Sequence, residues 1–78
     1  MSNLELYNKI FMETLMIDES QLKDLAYQGV KSWDSVGHMT MIAAIEESFN
    51  VIMETDDIID FSSYKLGIEI LAKYDIVI

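Results

Sequence analysis

Residues 33–49 read WDSVGHMTMIAAIEESF, and the arrangement of the whole chain turns on this stretch. Asp34 is a good N-cap, because its carboxylate can accept the orphan N–H groups of a first helical turn. A helix is therefore predicted from Ser35 to Phe49. Its apolar residues Val36, Met39, Met41, Ile42, Ala43, Ile45 and Phe49 cover more than half of the circumference. One buried stripe needs less than that. Either the helix is buried on two sides, or part of its apolar surface faces a partner.

Working outward, helix signals dominate the flanks. The chain has no Pro, three Gly and no Asn-Gly turn. Ser2 followed by Glu5 fits a capping box, and Leu4, Tyr7, Ile10, Phe11 and Leu15 then share one side of a helix predicted from Asn3 to Met16. Periodicity is lost from Ile17 to Asp34, where Leu22, Leu25, Tyr27, Val30 and Trp33 are spread among polar residues. A helical turn near Gln21 to Leu25 and a chain reversal at Gly29 are expected there. Long irregular connections of this kind are often functional. Its apolar residues can pin it to a helical core.

After a linker from Asn50 to Glu54, Thr55 is expected to cap a short acidic turn through Asp56, Asp57, Ile58 and Ile59. Ser62 or Ser63 opens a last helix with Leu66, Ile70 and Leu71 inward, ending near Lys73 or Tyr74. Lysines at that end suit the negative pole of the helix dipole. The expected architecture is one all-α domain over residues 1–78, a bundle of three main helices and one short third helix. A long loop joins helices one and two.

Composition narrows the function classes. The 78 residues suffice for one domain, and without cysteine neither disulfides nor a thiolate metal site can brace it. Stability must come from the 51% hydrophobic content, in which six methionines fill irregular gaps. Fourteen Asp and Glu against five Lys give a net charge of -9. Such a polyanion is repelled by nucleic acid and anionic membranes and steered towards basic protein patches. Taken alone, the acidity need mean no more than solubility. Its placement says more: seven acids and no Lys or Arg lie between Ser32 and Tyr64. Apolar runs fall well short of the roughly 20 residues of a membrane span, and no secretory signal is apparent. A monomeric cytoplasmic protein is expected.

Catalytic constellations are mostly missing. The single His38 cannot build a His-rich metal site, so no metal is expected. Asp34, Ser35 and His38 hold the residue types of a triad, but a triad needs base and nucleophile held by separate elements. His38 reads instead as a partly exposed helix residue. The acidic run Glu54 to Asp60 lacks the alternating ligands and central Gly of a calcium loop. What remains is Asp34-Ser35-Val36, a serine at the positive end of a helix dipole, where a phosphate ester would be well placed.

The run Trp33 to Met39, continuing into Ala44-Ile45-Glu46-Glu47-Ser48-Phe49, resembles the acyl carrier protein family, in which an Asp-Ser-Leu motif opens helix two and Glu-Glu-x-Phe closes it. The likeness extends along the chain, through the acidic third helix at Thr55 to Ile59 and the last helix at Ser63 to Lys73. It implies that a phosphopantetheinyl transferase moves a 4'-phosphopantetheine arm from coenzyme A onto Ser35, with Asp34 beside the attachment point. It implies partner-facing apolar surface at Val36, Met39 and Ala43, and acids at Glu46, Glu47, Asp56 and Asp57 that meet basic patches on ligases, acyltransferases or synthases. By position, Met41, Ile42, Ile45 and Met53, with Ile58, Phe61 and Leu71, would line a space for an acyl chain or simply form the core.

The chain departs from that pattern at several points. Val36 replaces the usual Leu, and Gly37 and Thr40 stand where carriers of central fatty-acid synthesis usually have acids. Glu54 stands in place of the Pro before helix three, and Trp33 looks like carriers of dedicated pathways. The implied role is a carrier of thioester-bound acyl intermediates rather than an enzyme. Two alternatives stay open: an aminoacyl carrier charged by an adenylating ligase, and an unmodified acidic adaptor. Peptidyl carriers usually show paired glycines before the serine, which Lys31-Ser32-Trp33 does not match.

Overall fold

Three of the four α-helices start where a side chain takes up a free N–H group. The computed structural model describes residues 1–78 and contains four α-helices and no strand. Helix α1 (Asn3–Leu15) opens on the expected capping box: the Glu5 N–H donates to Ser2 Oγ at 3.1 Å and the Ser2 N–H to Glu5 Oε1 at 3.0 Å. Helix α2 (Ser35–Phe49) opens on Asp34, whose Oδ1 accepts the Gly37 N–H at 2.9 Å. In α3 (Thr55–Asp60) the N-cap is Glu54 rather than Thr55, and no side chain caps it. Its first turn carries Asp56 and Asp57, the sign that the dipole favours. Helix α4 (Tyr64–Ala72) opens on Ser63, whose Oγ accepts the Leu66 N–H at 3.0 Å.

Both long helices stop in the same way. Met16 and Asn50 adopt left-handed conformations, each with φ of 55°, and the next residue bonds back to the turn before. The Ile17 N–H reaches Met12 O at 3.1 Å and the Val51 N–H reaches Glu46 O at 3.0 Å. Asn suits this conformation; Met16 adopts it at a cost of about 1–2 kcal/mol. Met16, expected as the last helical residue, is thus the cap.

The loop from residue 16 to 34 is stitched to the far end of the molecule. The Tyr27 N–H donates to Ser62 O at 2.8 Å, and the Tyr64 N–H donates to Leu25 O at 2.9 Å. Together they make an antiparallel bridge, Ala26 to Ser63, that joins the loop to the α3–α4 connection. Ser32 Oγ–H donates to Leu15 O at 2.6 Å and ties the loop to the end of α1. The short helical turn lies at Glu19–Gln21, earlier than expected, and the left-handed residue of the reversal is Gln28 rather than Gly29.

These ties close the loop over an aromatic core. Phe11 is central, with ring centroids 4.9 Å from Tyr7, 5.3 Å from Tyr64, 5.5 Å from Trp33 and 6.2 Å from Phe61. Trp33 is fully buried, so the loop contributes the largest core side chain. The buried Tyr7 hydroxyl donates to Tyr64 O at 2.6 Å, and burial pushes its pKa up. Leu4, expected on this face, is exposed, and the buried stripe of α1 begins at Tyr7. On α2 the core takes Met41, Ile42 and Ile45 and leaves Val36 and Met39 outside. Of the two arrangements open to that helix, part of its apolar surface does face outward.

Gly67 of α4 packs closely against Tyr7 of α1 and against Phe61. A Cβ on Gly67 would overlap both the Tyr7 hydroxyl and the Phe61 ring, and both of those side chains are fully buried. Gly67→Ala should therefore destabilise the fold by about 1–3 kcal/mol, although Ala is the better helix former by about 1 kcal/mol. A lower urea midpoint with an unchanged m-value would bear this out; an equal or higher midpoint would contradict it.

Candidate functional site

Ser35, the first residue of α2, is exposed, and its Oγ lies 3.3 Å from the Tyr27 hydroxyl. Its position follows from how closely residues 32–34 fold against the first turn. A Cβ on Gly37 would overlap the Ser32 carbonyl oxygen, so only glycine permits this approach. The residue that breaks the acidic pattern is thereby explained by packing.

One turn on, His38 joins three segments. The Trp33 indole N–H donates to His38 Nδ1 at 3.0 Å, while His38 Nε2 lies 2.8 Å from Ile58 O. An indole nitrogen can only donate and a carbonyl can only accept, so Nδ1 is bare and Nε2 carries the hydrogen. The imidazole is half-buried, and both of its nitrogens are engaged away from Ser35. Asp34 Oδ1 is likewise engaged with the Gly37 N–H. Asp34, Ser35 and His38 are neighbours without being a triad.

Beside Ser35 lies a cleft of about 270 Å³. Met39 of α2 and Ile58 and Ile59 of α3 supply apolar walls, with His38 and Phe61 beneath. Tyr27 and Ser62, the two residues joined by the loop bridge, form its polar rim. Tyr27, Ile59 and Ser62 are not among the site residues expected from the sequence. The Ile58-Ile59 pair inside an acidic turn was the available signal for Ile59, which is 70% exposed. Nothing local marks Tyr27, whose place depends on pairing 35 residues away in sequence.

The other expected site residues separate into groups. Val36, Met39 and Ala43 lie exposed along one outer stripe of α2, and Glu47 and Asp56 are exposed acids. Glu46 is half-buried, and its Oε2 accepts the Met53 N–H at 2.8 Å, fixing the α2–α3 connection. Asp57 is a correction to the set of partner-facing acids. Its side chain is buried, with Oδ1 accepting from Lys73 Nζ and Oδ2 from the Tyr74 hydroxyl, both at 2.5 Å. The Tyr74 hydroxyl also accepts the Glu54 N–H at 2.9 Å, so this cluster ties α3 to the chain after α4. The residues expected to line an acyl space or to form the core also divide. Only Ile58 and Phe61 border the cleft, whereas Met41, Ile42, Ile45, Met53 and Leu71 are close-packed core that borders no cavity.

No group of three or more potential metal ligands comes together, and no helix is long and apolar enough to cross a membrane. Comparison with protein-family models, with curated proteins and with solved structures gave no match.

The Asp57 cluster generates a pH prediction. Hydrogen bonds from Lys73 and Tyr74 hold the Asp57 carboxyl below its ordinary value of 3.8. The same contact with Asp57 raises Lys73 above 10.5. A depressed carboxylate stabilises the fold above its unfolded value and loses that contribution as pH falls. Asp57→Asn should therefore lower the urea midpoint at neutral pH and flatten its fall below pH 3.8. An unchanged acid limb in urea titrations followed by circular dichroism would sink the assignment.

Proposed function

We propose that this protein is a carrier of the acyl carrier type, with Ser35 as the attachment point for a 4'-phosphopantetheine arm. The observation that carries the reading is an exposed serine hydroxyl that opens a 15-residue helix and borders an apolar cleft, in a chain whose motif resembles that family. The four helices and the long first loop would then be the acyl-carrier arrangement, and the chain a substrate of other enzymes rather than a catalyst.

The residues fit the group. A phosphate ester at Ser35 would face the unpaired N–H groups of the first turn of α2, at the positive end of its dipole. Asp34 holds that turn by capping Gly37. During loading, Ser35 Oγ would form a bond to the phosphorus of coenzyme A nearest the pantetheine. The pyrophosphate bond breaks, adenosine 3',5'-bisphosphate leaves, and the serine proton passes to the transferase, which also supplies Mg²⁺. When bound, the arm supplies the thiol on which acyl groups are held as thioesters; the chain itself has no cysteine.

The remaining surface suits delivery to partners. Val36, Met39 and Ala43 give an apolar docking stripe, and Glu47 and Asp56 place charge beside it for basic patches on acyltransferases, synthases or ligases. Such a carrier would work in the cytoplasm, in a specialised pathway rather than with central fatty-acid enzymes, since Gly37 and Thr40 leave the top of α2 uncharged.

The experiment is intact mass after incubation with coenzyme A, Mg²⁺ and a broad-specificity phosphopantetheinyl transferase. The wild-type chain should gain one phosphopantetheine, and Ser35→Ala should gain none while keeping its helical circular-dichroism spectrum. A folded wild-type chain that gains nothing, beside a control carrier that does, would put the unmodified adaptor ahead.

A further inference from the structure

On the basis of that carrier reading, we propose that the cleft beside Ser35 seats the pantoyl portion of the arm, with the Tyr27 hydroxyl as its polar anchor. The pantoyl unit is the segment next to the phosphate, and it carries two geminal methyl groups, a hydroxyl and an amide carbonyl. It is the first part of the arm that can reach any surface beside the attachment point.

Position, lining and size each support this occupant. Ser35 itself lines the cleft, so the arm enters without crossing exposed surface. Met39, Ile58 and Ile59 offer apolar contact to the geminal methyls, and the rim of Tyr27 and Ser62 offers hydroxyls to the polar groups. The cleft, about 270 Å³ in volume, has room for the pantoyl unit. Phe61, which also lines the cleft, is fully buried, as are the core residues Met41, Ile45 and Leu71.

Tyr27 has a specific part. Its hydroxyl and the Ser35 hydroxyl lie 3.3 Å apart, and either can donate. Esterification removes the Ser35 hydrogen, which leaves Tyr27 as the only donor of the pair. Its O–H then points at the phosphodiester end of the arm. The bridge to Ser62 and ring contacts with Trp33 and His38, at 6.2 and 5.8 Å between centroids, hold the ring in place. Because the arm is tethered, even a weak contact is populated at high effective concentration.

The test uses the loaded full-length protein, with intact mass recorded for every sample. In wild type, the two pantoyl methyl resonances should be shifted from their positions in free pantetheine and show cross-relaxation peaks to Ile58, Ile59 or Met39. Ile59→Ser, a change at an exposed side chain, should weaken those peaks severalfold. Tyr27→Phe should shift the phosphorus resonance of the phosphodiester and weaken them as well. A loaded wild-type chain whose methyls resemble those of free pantetheine, with no such peaks, overturns this inference alone. Peaks that survive unchanged in both variants do the same. A chain that accepts no arm overturns the carrier reading and this inference with it.

Discussion

The hydrogen-bonded line from Trp33 through His38 to Ile58 is the constraint on which the Ser35 end of the molecule depends. It joins the long loop, α2 and α3 through one neutral imidazole that accepts on one side and donates on the other. Trp33 is fully buried against Phe11, so the indole is fixed by the core before it fixes His38. His38 in turn sets the spacing between α2 and α3, and that spacing is the width of the cleft. Ser35 stands at the edge of this assembly, so its surroundings are set by core packing rather than by the mobility usual at helix ends.

A second set of ties acts from the opposite side of α3. Asp57, Lys73 and Tyr74 bind it to the C-terminal segment, and Glu46 holds the connection that leads into it. A helix of six residues is too short to be stable alone. Its place is secured by polar contacts at both ends and by Ile58 and Phe61 against the core. The charge that a partner would meet is correspondingly reduced, since Asp57 is neutralised within the fold.

How far the sequence discloses this depends on the range of the interactions. The start and end of α2 follow from Asp34 and from the left-handed Asn50, both local features, and the predicted span of Ser35–Phe49 agrees with the structure. The buried Trp33, Leu22 and Leu25 show that an aperiodic segment can still be core, as their apolar character implied. Asp57 was misread because its partner Lys73 lies 16 residues away, beyond any spacing rule for one helix. Whether the apolar positions line a space or form the core stays open in the sequence, because a list of apolar positions does not distinguish a filled interior from a hollow one. Tyr27 escaped notice for a related reason: its role arises only once the loop pairs with Ser62.

Gly37 has a consequence for how the surface can change over time. Since any side chain there would strike the Ser32 carbonyl, the position two residues after Ser35 is closed to substitution. A carboxylate cannot be placed at Gly37 without reopening the loop that carries Trp33. Thr40, one turn on and exposed, is free of that obstacle; its hydroxyl bonds only to Val36 O within the helix. Any charge added to this end of α2, by evolution or engineering, is therefore channelled through Thr40 and the outer face beyond it.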